Sequence, residues 1–200
     1  MAQFTPDPKV QALLESCLRS KSLVLLSGNA LPITFQSVIK NLDSNNIALR
    51  NTIKPKFIRQ FLSSQEFTLQ AQMMRFQTNS ILSGGDLLIF PLLANSVIEE
   101  TRQAERFSFS SNEKVTAEII NPYDSETKLV KNVMDMSATG ISIRASIHSK
   151  LFKPGLEISA IKVMLDGVIY SQNSGCVIYN RHLLDLNGNL HAQVGIKFNL

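Results

Sequence analysis

Apolar and polar positions alternate along most of this chain with the two-residue period of half-buried strands, and only its start departs clearly to a helical period. Asp7 followed by Pro8 reads as an N-cap with proline in the first helical position. Val10, Leu13, Leu14, Cys17 and Leu18 then follow at helical spacing, which predicts one amphipathic helix ending near Ser20. Lys56 to Leu62 is a second, short helix candidate, with Phe57, Ile58, Phe61 and Leu62 on one face. The other apolar segments predict strands. Leu23 to Leu26 is a short run, and Ile33 to Ile39 continues after Pro32. Asp43-Ser-Asn-Asn46 is a turn into Ile47 to Leu49. Phe67, Leu69, Ala71 and Met73 alternate with polar residues, and Gly84-Gly85-Asp86 leads into Leu87 to Phe90, closed by Pro91.

After Leu93 the character changes, with Asn95 to Glu105 polar and crowded with charge. A domain boundary near residue 98 is therefore expected, dividing the chain into 1–98 and 99–200. A second set of strands follows at Val115–Ile120, Leu129–Met134, Ile141–Ala145, Leu156–Leu165, Val168–Tyr179 and Val194–Phe198. Asn121-Pro-Tyr-Asp124, Lys153-Pro-Gly155, Asp166-Gly167 and Asn187-Gly-Asn189 punctuate them, and Asp166-Gly167 fits a type I′ hairpin. The pattern predicts a mainly β protein of two small β-barrel domains, the first with a leading helix, the second a six-stranded antiparallel barrel whose closure removes exposed edges.

Composition narrows the class. An apolar fraction of 44% suits a folded chain. No apolar run approaches the ~20 residues of a membrane span, and no secretory leader is recognisable, so a cytoplasmic location is expected. Two distant cysteines, Cys17 and Cys176, and three scattered histidines suggest reduced thiols and no metal centre. The net charge of +4 lies in the first half, densest at Arg50, Lys54, Lys56 and Arg59; it reads first as a solvated face and more sharply as a docking patch for an acidic protein or membrane lipid, and is too modest to indicate DNA binding on its own. With no Trp and three Tyr, a nucleic-acid partner is not expected. No nucleophile motif, zinc-protease motif or phosphate-binding glycine loop accompanies His148, His182 or His191, so no catalytic residue is assigned.

One constellation carries chemistry. Arg102 and Arg106 stand four apart before the first strand of the second domain, and planar guanidinium groups suit phosphate oxygens and the O6 and N7 of guanine. Some thirty residues later comes Asp135-Met-Ser-Ala-Thr-Gly140, read as a tight loop between two strands. Asp135 offers acceptors for the N1–H and N2–H₂ of guanine, Ser137 a hydroxyl, and Gly140 close backbone approach or positive φ. Alone, the arginines would read as partners of Glu99, Glu100 or Glu105, and the Asp segment as a self-capping turn. Their order and placement together suit a guanine-bearing anion.

The pair resembles the signature of PilZ domains, R-x-x-x-R before the first strand and then D/N-x-S-x-x-G, and Gly195-Ile-Lys-Phe198 is similar to the family's last strand. The first domain resembles the barrel that precedes PilZ in flagellar-brake proteins. The resemblance implies a non-enzymatic receptor for cyclic di-GMP that needs no cofactor. Arg102 and Arg106 would hold guanine and phosphate, Asp135 and Ser137 would read a guanine edge, and Thr139 and Gly140 would line the contact. It implies a nucleotide-driven change in domain arrangement and a protein target, the flagellar motor among relatives. A PilZ-like adaptor acting by protein contact without nucleotide is the alternative. Thr101 stands where many relatives have another Arg, which leaves one or two bound nucleotides open, and Thr139 replaces a second glycine. Relatives often continue into a helix where this chain stops at Leu200, so a regulatory tail is expected to be missing.

Overall fold

The structure is a computed structural model and describes residues 8–72, 74–92, 97–100, 106–109 and 113–199. Asp7, Met73, Arg102 and Glu105 lie outside them, so the N-cap and the first motif arginine cannot be placed. The chain divides into two units, Met1–Gln103 with Leu183–Leu190, and Ala104–His182 with His191–Leu200.

In the first unit α1 (Pro8–Ser20) buries Val10, Leu14 and Cys17, the inner stripe its spacing predicts. Strands β1 (Leu23–Gly28), β2 (Leu31–Leu42) and β3 (Asn46–Arg50) follow, then α2 (Pro55–Leu62). Proline at the first turn of α2 costs no hydrogen bond, and Phe61 anchors the helix in the core. The unit is completed by β4 (Phe67–Ala71), β5 (Met74–Thr78), β6 (Leu82–Gly84), β7 (Leu87–Pro91) and β8 (Val97–Glu100). Pairing is antiparallel throughout: β8, β5, β4, β1, β2, β3, β7 and β6 are neighbours in that order. Phe35, Phe61 and Phe67 meet edge to face, with centroids 5.4 and 5.2 Å apart, at the centre of this core.

Two expectations are corrected here. Pro32 lies inside β2 rather than before it, and is tolerated because the β1–β2 ladder shifts register between Leu26 and Gly28. The strand expected to run on from Ala71 to Met73 ends at Ala71: Gln72 adopts φ 49° and the chain folds back into β5.

The second unit begins with a two-residue strand, β9 (Phe107–Ser108), which the sequence pattern did not announce. Then come β10 (Val115–Ile120), β11 (Lys128–Ser137), β12 (Gly140–Ala145), β13 (Glu157–Leu165), β14 (Val168–Leu184) and β15 (Leu190–Phe198). The pairings run β13–β10–β11–β12–β15–β14 and return from β14 to β13; the β10–β11, β10–β13, β11–β12, β12–β15 and β13–β14 ladders are antiparallel. Val115, Ala117 and Ile119, Ile141 and Ile143, Ile161 and Val163, and Val194 and Ile196 point into one core at period two. Asp166 and Gly167, at φ 49° and 83°, join Leu165 to Val168 with both central residues left-handed, as a type I′ turn requires.

Asp124 shows how a polar turn is held. Its carboxylate accepts the backbone N–H groups of Glu126 and Thr127 at 3.0 and 2.8 Å and the Thr127 hydroxyl at 2.7 Å. These donors, the Glu126 N–H first, lower its pKa to about 2. A lowered carboxylate pKa stabilises the turn fully above its unfolded value of 3.8, and the contribution is lost as pH falls through about 2. The Asp124 carboxyl signal in an NMR titration is expected to move near pH 2; a midpoint near 3.8 would show that the turn does not hold it.

Candidate functional site

Ser142 is the starting point. On β12 its neighbours Ile141 and Ile143 enter the core, so Ser142 faces the other way, yet it is fully buried. On β15 Ala192, Val194 and Ile196 likewise enter the core and leave Gln193 and Gly195 opposite. The ladders set Asp135 beside Ser142, and Ser142 beside Gly195. A polar row therefore crosses three strands on the face away from the core.

The row is bonded from end to end. Asp135 Oδ2 accepts the Ser142 hydroxyl and, at 3.2 Å, the Gln193 Nε2–H. Gln193 Nε2 also donates to Ser142 Oγ at 3.0 Å. Gln193 Oε1 in turn accepts from both Nε and Nη2 of Arg181, at 2.9 and 2.7 Å. The Arg181 guanidinium lies 5.1 Å from the centroid of the Tyr179 ring. That ring occupies the space over Gly195, where a Cβ would come within 2.2 Å of it.

Arg106 closes the other end. Its Nη1 donates to Asp135 Oδ1 at 2.8 Å, and the two side chains are only 22% and 14% exposed. Arg106 thus has Asp135 as its partner among the described residues. Burial works against its charge, but Asp135 and the side chain of Tyr179 outweigh that, and its pKa lies above the ordinary guanidinium value.

The Asp135–Gly140 segment is not a loop, which corrects the expectation above. Asp135, Met136 and Ser137 are the end of β11, Gly140 opens β12, and only Ala138 and Thr139 form the turn. Placement in a strand explains how Asp135 can be fixed against three neighbours at once. Ser137 is buried, and its hydroxyl is engaged inside the turn with the Thr139 N–H at 3.3 Å and the Thr139 hydroxyl at 3.4 Å. The Thr139 carbonyl accepts the Phe198 N–H at 2.9 Å. Gly140 is not at positive φ. Its missing side chain is needed because a Cβ there would lie 2.3 Å from the Ile196 carbonyl oxygen of β15.

The structure thus joins Arg106 to Asp135 and sets Thr139 in the adjoining turn, with Ser137 and Gly140 at the strand ends that flank it, while Arg102 falls outside the described residues. Sequence reasoning missed Ser142, Gln193, Tyr179 and Arg181. The usable signal was a polar residue between two core positions, as in Ile141-Ser142-Ile143. Chemically, the row offers guanidinium donors beside a carboxylate and hydroxyls, a set suited to an anion that also carries hydrogen-bond donors. Among the described residues, no group of three His, Cys, Asp or Glu is placed to hold a metal ion, and no helix is long and apolar enough to cross a membrane.

No protein-family model matches the chain, and no curated protein matches it in sequence. Solved structures do match. The K. pneumonia MrkH–c-di-GMP complex aligns over 100% of this chain and 88% of its own, with TM-score 0.69 and 14% identity. A further MrkH structure, described as a c-di-GMP dependence transcription regulatory factor, aligns over 100% and 86% with TM-score 0.62 and 11% identity. YcgR from Escherichia coli in complex with c-di-GMP aligns over 94% and 80% with TM-score 0.55 and 14% identity. At such identities the likeness is one of fold: this chain has the fold of the PilZ-containing, c-di-GMP-binding proteins that its two motifs resemble.

Proposed function

We propose that this chain is a cytoplasmic, non-enzymatic receptor for cyclic di-GMP. In this reading residues 99–200 form a PilZ domain, its circuit of six paired strands closed as a barrel, and residues 1–98 a flagellar-brake-like barrel. Nucleotide binding changes the arrangement of the two domains, and the output is a protein contact in control of flagellar motility or related surface behaviour. The observation that carries the reading is the Arg106–Asp135 pair, which joins the two motifs of the signature in one bonded row. Arg102 and Arg106 serve guanine and phosphate, Asp135 and Ser137 a guanine edge, and Thr139 and Gly140 shape the turn beside them. The fold neighbours solved with c-di-GMP support the choice of ligand.

One observation favours the adaptor alternative. A carboxylate has about four acceptor positions, and Asp135 already uses three, on Arg106, Ser142 and Gln193. In the receptor reading Asp135 acts first as the counter-ion that aims Arg106, and offers its remaining position to the base. Calorimetric titration of cyclic di-GMP into the chain separates the two: saturable binding is expected, its stoichiometry gives one nucleotide or two, and no binding by the folded chain establishes the adaptor. The expected absence of a nucleic-acid partner does not carry over, because MrkH is named a transcription regulatory factor and Lys54, Lys56 and Arg59 stand exposed around α2.

A further inference from the structure

We propose that Arg181 is a further ligand-binding residue of this site and takes a phosphodiester group of the nucleotide. The inference rests on the receptor reading and extends it to a residue outside both motifs.

Arg181 sits on β14, half-buried, and its guanidinium is oriented from two sides. Gln193 Oε1 takes Nε and Nη2, and the Tyr179 ring supports the face. The Tyr179 ring is itself seated on Gly195, so the residue that admits the ring also places the cation. Through Gln193 the arrangement connects to Asp135 and so to Arg106. Nη1 of Arg181 makes no bond among the described residues and remains available as a donor.

Charge decides what such a donor is for. A guanidinium built only to hold a fold is normally matched by a carboxylate. Arg181 has a neutral amide instead. Among the described residues the one carboxylate in the row, Asp135, is paired with Arg106, so the row there holds two guanidinium groups against one acid. Burial lowers the Arg181 pKa by more than the Tyr179 and Asp135 charges raise it, and the Arg106 charge lowers it a little further, so the cation is held where water no longer fully solvates it. A nucleotide with two phosphodiester anions supplies a counter-ion, and a planar guanidinium fixed in orientation binds a phosphate oxygen at little further entropic cost.

The test is titration of cyclic di-GMP into the wild type, Arg181→Met and Arg181→Lys at low and high salt, with thermal melting of each ligand-free chain. Arg181→Met, which keeps the apolar stem on Tyr179, is expected to bind at least about tenfold more weakly. Its affinity should also depend less steeply on salt, because one ionic contact is gone. Its ligand-free chain should melt about 4 °C lower, because the buried Gln193 Oε1 loses both donors, so the salt dependence is the reading that separates ligand contact from support. Arg181→Lys should bind between the two. Wild-type binding with Arg181→Met unaffected overturns this inference alone. So does weakened binding with an unchanged salt dependence, the behaviour of a purely structural residue. A folded wild type that does not bind overturns this inference and the receptor reading together.

Discussion

Asp135→Ala is expected to abolish measurable cyclic di-GMP binding and to destabilise the second unit more than Arg106→Ala does. The asymmetry follows from the bonding. Removing Asp135 takes the acceptor from the Ser142 hydroxyl and the Gln193 amide, both buried, and removes the negative charge that supports both Arg106 and Arg181. Breaking a fully buried ion pair costs about 3–5 kcal/mol, and with side chains 22% and 14% exposed about 2–4 kcal/mol is expected here. Removing Arg106 leaves Asp135 its two other partners and Arg181 as the nearby cation, so about 1–2 kcal/mol is expected. Both variants lose the aimed guanidinium, and both should weaken binding by about 100-fold or more. The double variant should be little worse than Asp135→Ala alone, because the two residues act as a unit. Asp135→Asn is the informative control: its Oδ1 can still accept from Arg106, but its amide meets the Gln193 Nε2 donor, so partial loss of both stability and affinity is expected. Denaturant melts and calorimetry on the four variants and wild type read these quantities. Equal stability of Asp135→Ala and wild type would show that the row is not the support described.

The elements most legible in the sequence are those marked by residues whose local chemistry allows few alternatives. Asp166-Gly167 tolerates left-handed backbone, and the hairpin falls there. Pro8 opens the first helix because proline is harmless at a first turn; the second helix, read from its apolar spacing as Lys56 to Leu62, opens on Pro55 for the same reason, a signal the reading did not use. The β4–β5 hairpin was not legible, since its left-handed residue is Gln72, a type that carries no turn signal. Nor was the placement of residues 183–190 with the first unit, where Leu184 joins the core built by Phe35 and Phe61. Such an association depends on distant packing, and local pattern does not encode it.

The site was half legible for a related reason. Arg106 and Asp135 could be paired because their motif spacing is recognisable. Ser142, Gln193 and Arg181 could not, because period-two alternation marks the face opposite the core and is silent on whether water or another side chain covers it. Asp135 was read as a loop residue because a polar D-x-S run with Thr-Gly after it imitates a turn. In the structure the strand continues to Ser137, and the polarity belongs to the bonded row.

Gly140→Ala tests whether the motif glycine serves the ligand or the strands. A Cβ at this position would meet the Ile196 carbonyl oxygen at 2.3 Å and the Lys197 Cα at 3.2 Å. Both are backbone atoms and cannot rotate aside, so β12 and β15 must separate where Gly140 faces Lys197 and Ile141 faces Ile196. Overpacking of this kind costs about 1–3 kcal/mol, and the upper half is expected because the obstacle is main chain. At about 4–8 °C per kcal/mol for a domain the size of the second unit, the melting transition of that unit should fall roughly 8 °C or more below wild type in the ligand-free chain. Binding should weaken as well, since Ser142 lies two residues further along the displaced strand. Gly84→Ala is the matched control: nothing lies within 4 Å of a Cβ there, and a change of only a few tenths of a kcal/mol is expected. A glycine required only for close approach of nucleotide would give the opposite signature, an unchanged ligand-free melt with weakened binding. That result would return Gly140 to the ligand contact and remove the β12–β15 packing as its reason.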